Sequence, residues 1–483
     1  MRYTYTLTFI LSFVITLGFS QKTLLKDLNI TSKAGVITST DNTPFLLRAN
    51  QYGLVPVEPH VLYLSTAFIK PYDSTRKTFD FGYGLEPHIN IGSKSQLILP
   101  EAYVKAKWRA IEIYVGRRRE VMGYVDTLGT MGSYIWSGNA LPIPKIDIGI
   151  REFTSITRNG LLAIKGNFAH GWFGKADSVQ NILLHQKSLY LRLGKPSWNI
   201  KLIAGFNHQA QWGGKPTVPF KDEISGQFIT QYSTTFKDYF RVLTGRSTGN
   251  ETGLSWDEVE GVPANEAGNR VGNHLGSIDI GLDIQLNPTL KMKIYRQSIF
   301  EDGSLFYLNN ITDGLTGLAF SSSNQFNLVL EYLDTRSQGG PIYYGNIQEL
   351  RGRDNYFNNS IYKDAWTYKG NTIGTPPLNP YSENPDAFPP LRIINRNYIY
   401  NNRVQAFNAK ANYLVRDVSL ITQIMYSKNL GHYVLPINKN SVSIMQAGRF
   451  RLKDLVFSPR IAVDLGDYYP TSLGIDLSVT KSW

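Results

Sequence analysis

Between positions 472 and 483 the side chains alternate without a break. Leu473, Ile475, Leu477, Val479, Lys481 and Trp483 take one set of positions, and Ser472, Gly474, Asp476, Ser478, Thr480 and Ser482 take the other. A period of two puts successive side chains on opposite faces of an extended strand, here one apolar and one polar. The strand runs into a final aromatic residue, whereas the ends of soluble domains usually fray. A strand of this kind suits a closed barrel whose outer face meets lipid and whose inner face meets water.

The pattern recurs along the chain. Ala102, Val104, Ala106 and Trp108 alternate with Tyr103, Lys105 and Lys107; Ile111, Ile113 and Val115 with Glu112 and Tyr114; Ile146, Ile148 and Ile150 with Lys145, Asp147 and Gly149. Leu189, Leu191 and Leu193 oppose Tyr190 and Arg192, Ile278 to Ile284 oppose Asp279 and Asp283, and Phe326, Leu328 and Leu330 oppose Asn327 and Glu331. Charges on the polar face require water there, which a wet lumen supplies. A soluble antiparallel sandwich also alternates, but it does not account for the length without a linker or for the terminal strand. Aromatic residues at 13% and 42 glycines enrich strand and turn formers over helix formers. The fold class predicted is all-β: a transmembrane antiparallel β-barrel with long polar loops.

Residues 1–20 read as a cleaved secretory signal: Arg2, an apolar stretch over 7–17, and small residues around Gly18 and Ser20. That stretch is too short for a spanning helix. The chain has no cysteine, which excludes a lipid-anchoring cysteine, a disulfide framework, thiolate metal ligands and a cysteine nucleophile. The domains expected are a signal peptide at 1–20 and a single barrel at 21–483. With on the order of 25 residues for a strand and its connection, the mature chain holds about 18 strands, within a range of 16 to 20. The net charge of +12 fits pairing with lipid headgroups or an electropositive mouth for anionic polymers. Scattered basic residues without a basic tail argue against nucleic acid.

Three stretches read as long polar connections: 207–222, 244–273 and the proline-rich 337–402. Their Trp, Tyr, Asn and Arg content suits sugar faces and hydroxyls. Catalytic templates fail. The seven histidines lack a zinc-type spacing. Gly245-Arg246-Ser247-Thr248-Gly249 matches a nucleophile-elbow string without the helix that should follow it. Glu301-Asp302-Gly303 reads as a turn between strands, with a cation site or an acid pair as the competing reading. Neither an enzyme nor a cofactor or metal is expected.

The chain resembles the capsule assembly Wzi family as it occurs in Bacteroidetes-type bacteria. The resemblance rests on 137–145 (SGNALPIPK), 185–194 (HQKSLYLRLG), Gly205 to His208 leading to 211–214 (QWGG), 273–279 (NHLGSID), 300–303 (FEDG) with 313–315 (DGL), 352–358 (GRDNYFN), 366–368 (WTY) and 401–403 (NNR). It spans roughly 50–483. It implies a non-catalytic outer-membrane barrel of about 18 strands that binds capsular or other surface polysaccharide and helps assemble or retain it on the cell. The partners implied are that polysaccharide, outer-membrane lipid and, during biogenesis, the barrel-assembly machinery. On this reading the ligand-binding candidates are Asn207, His208, Trp212, Glu301, Asp302, Arg353, Asp354, Asn355, Tyr356, Trp366, Asn402 and Arg403, with Arg353 and Asp354 also able to form a structural ion pair. Two alternatives stay open: a porin-like channel or barrel component of another outer-membrane glycan or secretion complex, and a hydrolase built on Ser247 or on Glu301 and Asp302.

Overall fold

A computed structural model describes residues 27–76, 78–93, 95–249, 258–304, 308–323, 325–342, 352–389 and 395–483. The predicted signal segment 1–20 lies outside them.

Eighteen antiparallel strands form one closed ring in chain order. They are β1 (Asn29–Ser39), β2 (Val61–Lys70), β3 (Phe79–Ile91), β4 (Gln96–Trp108), β5 (Ile111–Arg117), β6 (Lys145–Ser155), β7 (Leu162–Gly174), β8 (Ile182–Leu193) and β9 (Ile200–Trp212). The ring continues through β10 (Asn273–Asn287), β11 (Leu290–Glu301), β12 (Gly314–Ser322), β13 (Phe326–Asp334), β14 (Val404–Val415), β15 (Val418–His432) and β16 (Leu435–Leu452). The next strand, β17, is interrupted at Pro459 into Leu455–Phe457 and Arg460–Gly466, both paired between β16 and β18 (Ser472–Ser482). The ring closes where β1 pairs β18, from Thr31 opposite Ser482 to Ser39 opposite Gly474. Closure removes every sheet edge, the condition for a sheet in lipid. Among the described residues no helix is long and apolar enough to cross a membrane. The strand number falls at the value expected from length.

The faces alternate as the sequence predicts, but inward charges expected to meet water are buried instead. Leu64, Val104, Ile148, Leu189, Ile280 and Ile424, on the outside, are between 45% and 62% exposed. Glu112, Asp147, Asp279, Glu331 and Asp476, on the inside, are buried. Aromatic side chains edge the apolar band at both ends. Phe79, Trp108, Trp198 and Trp483 lie at one, and Trp172, Phe407 and Tyr426 toward the other, all exposed. This is the girdle arrangement of a transmembrane barrel.

The two ends differ. Tight turns close one end, and three of them place a basic residue at positive φ: Arg109 (54°), Arg416 (53°) and Lys453 (55°). The other end carries the connections 40–60, 118–144, 213–272, 302–313 and 335–403. The sequence reading of 207–222 as a connection needs correction, because β9 runs to Trp212 and makes Asn207, His208 and Trp212 part of the wall. The stretches 213–222 and 244–272 then belong to one excursion.

Three of these connections turn into the lumen. Residues 118–144 descend deepest. Tyr124 donates its N–H to Asp279 Oδ2 (2.7 Å). Glu331 accepts from Thr130 Oγ1 (2.6 Å), from Met131 N (2.5 Å) and from Tyr295 OH (2.7 Å). Asn408 Nδ2 donates to Gly129 O (3.0 Å). The inward-facing charges of the strands therefore find partners in this plug, as buried polar groups must. Over it packs a lid from the described parts of 335–403: Phe357 packs tilted against Tyr134 (ring centroids 5.0 Å apart), Trp366 Nε1 donates to Ile135 O (2.7 Å), and Thr375 N donates to Tyr134 O (2.9 Å). The first connection adds α1 (Phe45–Arg48), whose Arg48 forms a buried ion pair with Glu383 of the lid. Tyr134, Ile135, Trp136, Tyr356, Phe357 and Trp366 belong to one apolar cluster inside the barrel.

Outside the wall, the 213–272 excursion places α2 (Phe236–Thr244) against β7, β8 and β9, and then α3 (Ala264–Gly268) at the rim.

Candidate functional site

At the long-loop end, α3 and the residues after it face the turn at 301–302 and the lid segment 352–361 across a polar cleft of about 300 Å³. Six amides line its walls beside as many charged residues: Asn265, Asn269 and Asn273 from one side, Asn355, Asn358 and Asn359 from the other. Asn265 Nδ2 donates to Ser360 Oγ (3.0 Å) across the cleft.

Five sequence candidates come together here: Glu301, Asp302, Arg353, Asp354 and Asn355. The turn after β11 places Asp302 at φ 45°, the left-handed region that Asp tolerates. Its carboxylate accepts from Asn269 Nδ2 (2.9 Å) and from His274 N (3.3 Å). Glu301 Oε1 accepts from Phe357 N (2.7 Å), so it holds the lid as well as lining the cleft. Asp354 accepts from Asn310 Nδ2 (2.6 Å). Arg353 is exposed, with its guanidinium 5.4 Å from the Tyr433 ring centroid; Arg403 approaches the same ring at 3.9 Å.

Asn355, Tyr356 and Asn402 form the support behind the cleft. Asn355 Oδ1 accepts from Asn358 (2.8 Å), Asn402 (2.6 Å) and His432 (2.9 Å). Its Nδ2 donates to Tyr398 OH (2.7 Å). Tyr356 is fully buried and donates to Asp313 (2.8 Å). Such a network fixes the amides that face outward.

The remaining candidates lie elsewhere. Asn207 is inside the barrel, donating to Ser277 Oγ (2.7 Å). His208 and Trp212 are on the outer wall beneath α2, with His208 Nε2 2.8 Å from His274 Nδ1. Trp366 is fully enclosed between plug and lid, so its ring serves packing.

Sequence reasoning missed Asn265, Asn269, Glu266 and Asn359. Asn265 and Asn269, four apart around one helical turn, were the available signal. Glu266 is almost fully buried, and burial raises its carboxyl to about 8, reinforced by Asp302 and Asp238 and opposed by the N–H of Gly272. At neutral pH it is a protonated acid able to donate a hydrogen bond.

Ser247 follows the C-terminal end of α2, where Gly245 takes φ 65°, and its hydroxyl donates to Gly249 O (3.2 Å). The strand–turn–helix geometry of a nucleophile elbow is not formed there. Among the described residues no group of three or more His, Asp or Glu is arranged to hold a metal ion.

A closed barrel with a lipid-facing band, a plug inside the lumen and a polar cleft at its loop end is an outer-membrane β-barrel. The family model described as "Capsule assembly protein Wzi" matches residues 48–376. The chain belongs to the capsule assembly Wzi family. No curated protein matches it. Among solved structures it is similar to OccD3 (OpdP) of Pseudomonas aeruginosa, with 9% identity, 95% of this chain and 91% of that chain covered and a TM-score of 0.44. It is also similar to OccAB4 of Acinetobacter baumannii (9%, 94% and 97%, TM-score 0.45) and to a BenF-like porin of Pseudomonas fluorescens Pf-5 (10%, 95% and 98%, TM-score 0.44).

Proposed function

We propose that this protein binds surface or capsular polysaccharide at the amide-rich cleft and helps assemble or retain that polymer on the cell, without catalysis. The observation that carries the reading is the convergence of Asn265, Asn269, Asn359, Asp302 and Arg353 on one cleft above the plug. Amides, a carboxylate and a guanidinium offer both donors and acceptors to hydroxyl-rich chains, and the guanidinium suits anionic sugars. Each contact is weak, and a repeating polymer gains its hold by engaging many copies of the protein. Barrels of this type place short turns in the periplasm and long loops outside, which puts the cleft at the cell surface.

Sugar binding predicts that Arg353→Ala combined with Asn269→Ala weakens polysaccharide binding by purified protein about tenfold. It predicts polymer shed into the medium at unchanged levels of folded barrel. Wild-type binding and retention in that variant would end this reading. The alternative of a porin-like channel requires an open lumen, against which the inward course of 118–144 argues. The signal segment and the assembly machinery remain part of the proposed route to the membrane.

A further inference from the structure

We propose that α2 is an interfacial arm, which docks into the acyl–headgroup boundary of the lipid leaflet at the long-loop end of the barrel. The helix lies outside the wall. The Tyr239 ring sits 6.0 Å from His170, 5.8 Å from His185 and 5.2 Å from Trp212, centroid to centroid. Lys187 Nζ donates to Leu243 O at the end of the helix. Each of these wall residues occupies an outward position: His170 lies between Phe168 and Trp172, and Lys187 is followed by Leu189 in the same row.

Besides the Val242 and Tyr239 face packed on the wall, the helix carries a second apolar face. Asp238 and Val242 are its buried residues. Phe236 and Phe240, one turn apart, point away from the wall and are 83% and 54% exposed. Thr235 caps the N-terminal end, accepting from Asp238 N (3.2 Å), and Gly245 ends the helix, so the two rings sit on a defined, short element. Ile224 and Phe228 of the preceding hairpin are exposed as well.

The occupant of this face follows from its level on the barrel. Trp172, at 40% exposure, belongs to the aromatic edge of the apolar band, with Phe168 and Phe206 next in the lipid-facing rows. The Phe236–Phe240 stripe is therefore continuous with a surface already in contact with lipid. Lys237, exposed beside it, suits a headgroup phosphate. An apolar stripe beside a cation at headgroup depth is the composition of an interfacial helix.

The absence of cysteine makes single labels unambiguous. Phe240→Cys and, as an independent second site, Phe236→Cys would carry a nitroxide in protein reconstituted into phosphatidylcholine–phosphatidylglycerol liposomes. Leu189→Cys serves as the lipid reference and Lys369→Cys as the aqueous one. Unheated gel mobility checks that each barrel is folded. Docking predicts oxygen accessibility near that of the Leu189 label and accessibility to a water-soluble nickel chelate about fivefold below the Lys369 label. Nickel accessibility equal to the Lys369 label at either site would overturn the proposal. So would shielding from both reagents, the mark of a protein partner on this face.

Discussion

Trp366 Nε1 donates to the carbonyl of Ile135 across 2.7 Å, one of several buried hydrogen bonds that join the lid to the plug. The two residues lie far apart in sequence, and neither is part of a strand. Trp366 also meets Trp136 edge-on at 6.2 Å and Phe173 of β7 at 6.1 Å. The ring thus connects plug, lid and wall.

Replacing it tests that connection. Trp366→Ala removes a fully buried ring and its hydrogen bond, a loss of about 3–5 kcal/mol. The lid should become susceptible to limited proteolysis while the unheated gel mobility of the barrel stays unchanged. Resistance equal to wild type would place the stability of the lid elsewhere.

The plug predicts electrical silence. Wild-type protein should show no steady conductance in planar bilayers. Met122 and Trp136 pair as an isolated bridge, so 123–135 can be replaced by an Asn-Gly turn without stretching the chain. That variant should open steps at least about tenfold above the background of the parent, since it removes the segment that descends deepest into the lumen. Glu331→Ala, which removes acceptors for Thr130, Met131 and Tyr295, should give intermittent openings.

Glu266 predicts a pH dependence confined to the rim. Its folded pKa, about 8, lies above the ordinary 4.5, so the folded state holds the proton more tightly. The stability from this group is complete below about 4.5, falls between 4.5 and 8, and is gone above 8. Hydrogen exchange at 264–272, corrected for the intrinsic effect of pH, should therefore show more frequent opening at pH 9 than at pH 6. Glu266→Gln should flatten the profile.

The lipid-facing band predicts a depth-dependent cost for charge. Leu189→Arg, in the outward row of β8, should destabilise the barrel by about 2–4 kcal/mol in urea unfolding from lipid vesicles. Lys369→Glu, on an exposed loop, should change it by less than about 0.5 kcal/mol.

Strand faces were legible because lipid and lumen impose opposite demands on neighbouring residues, as in Glu112 between Ile111 and Ile113. Alternation reports a contrast between two environments and fails where both sides are covered. From Asn207 to Trp212 every residue is buried, because α2 and its flanks overlie the outer face, so this wall segment read as a loop. The plug was illegible for a related reason. Tyr124, Met131, Tyr134, Ile135 and Trp136 follow no period, since each meets a different wall strand or lid residue. Part of the cleft was visible in the polar runs around Glu301 and Arg353; its other wall, on α3, depended on how a long excursion folds back.

One consequence of the plug's route is mechanical. It leaves the ring between β5 and β6 and bonds to Asn408 of β14, half the ring away. A cylinder tied across its diameter resists flattening when the surrounding bilayer squeezes it sideways. The same tether, continuous with the chain at both of its ends, cannot be expelled like a stopper, so any load drawn on the rim from outside is spread into opposite walls.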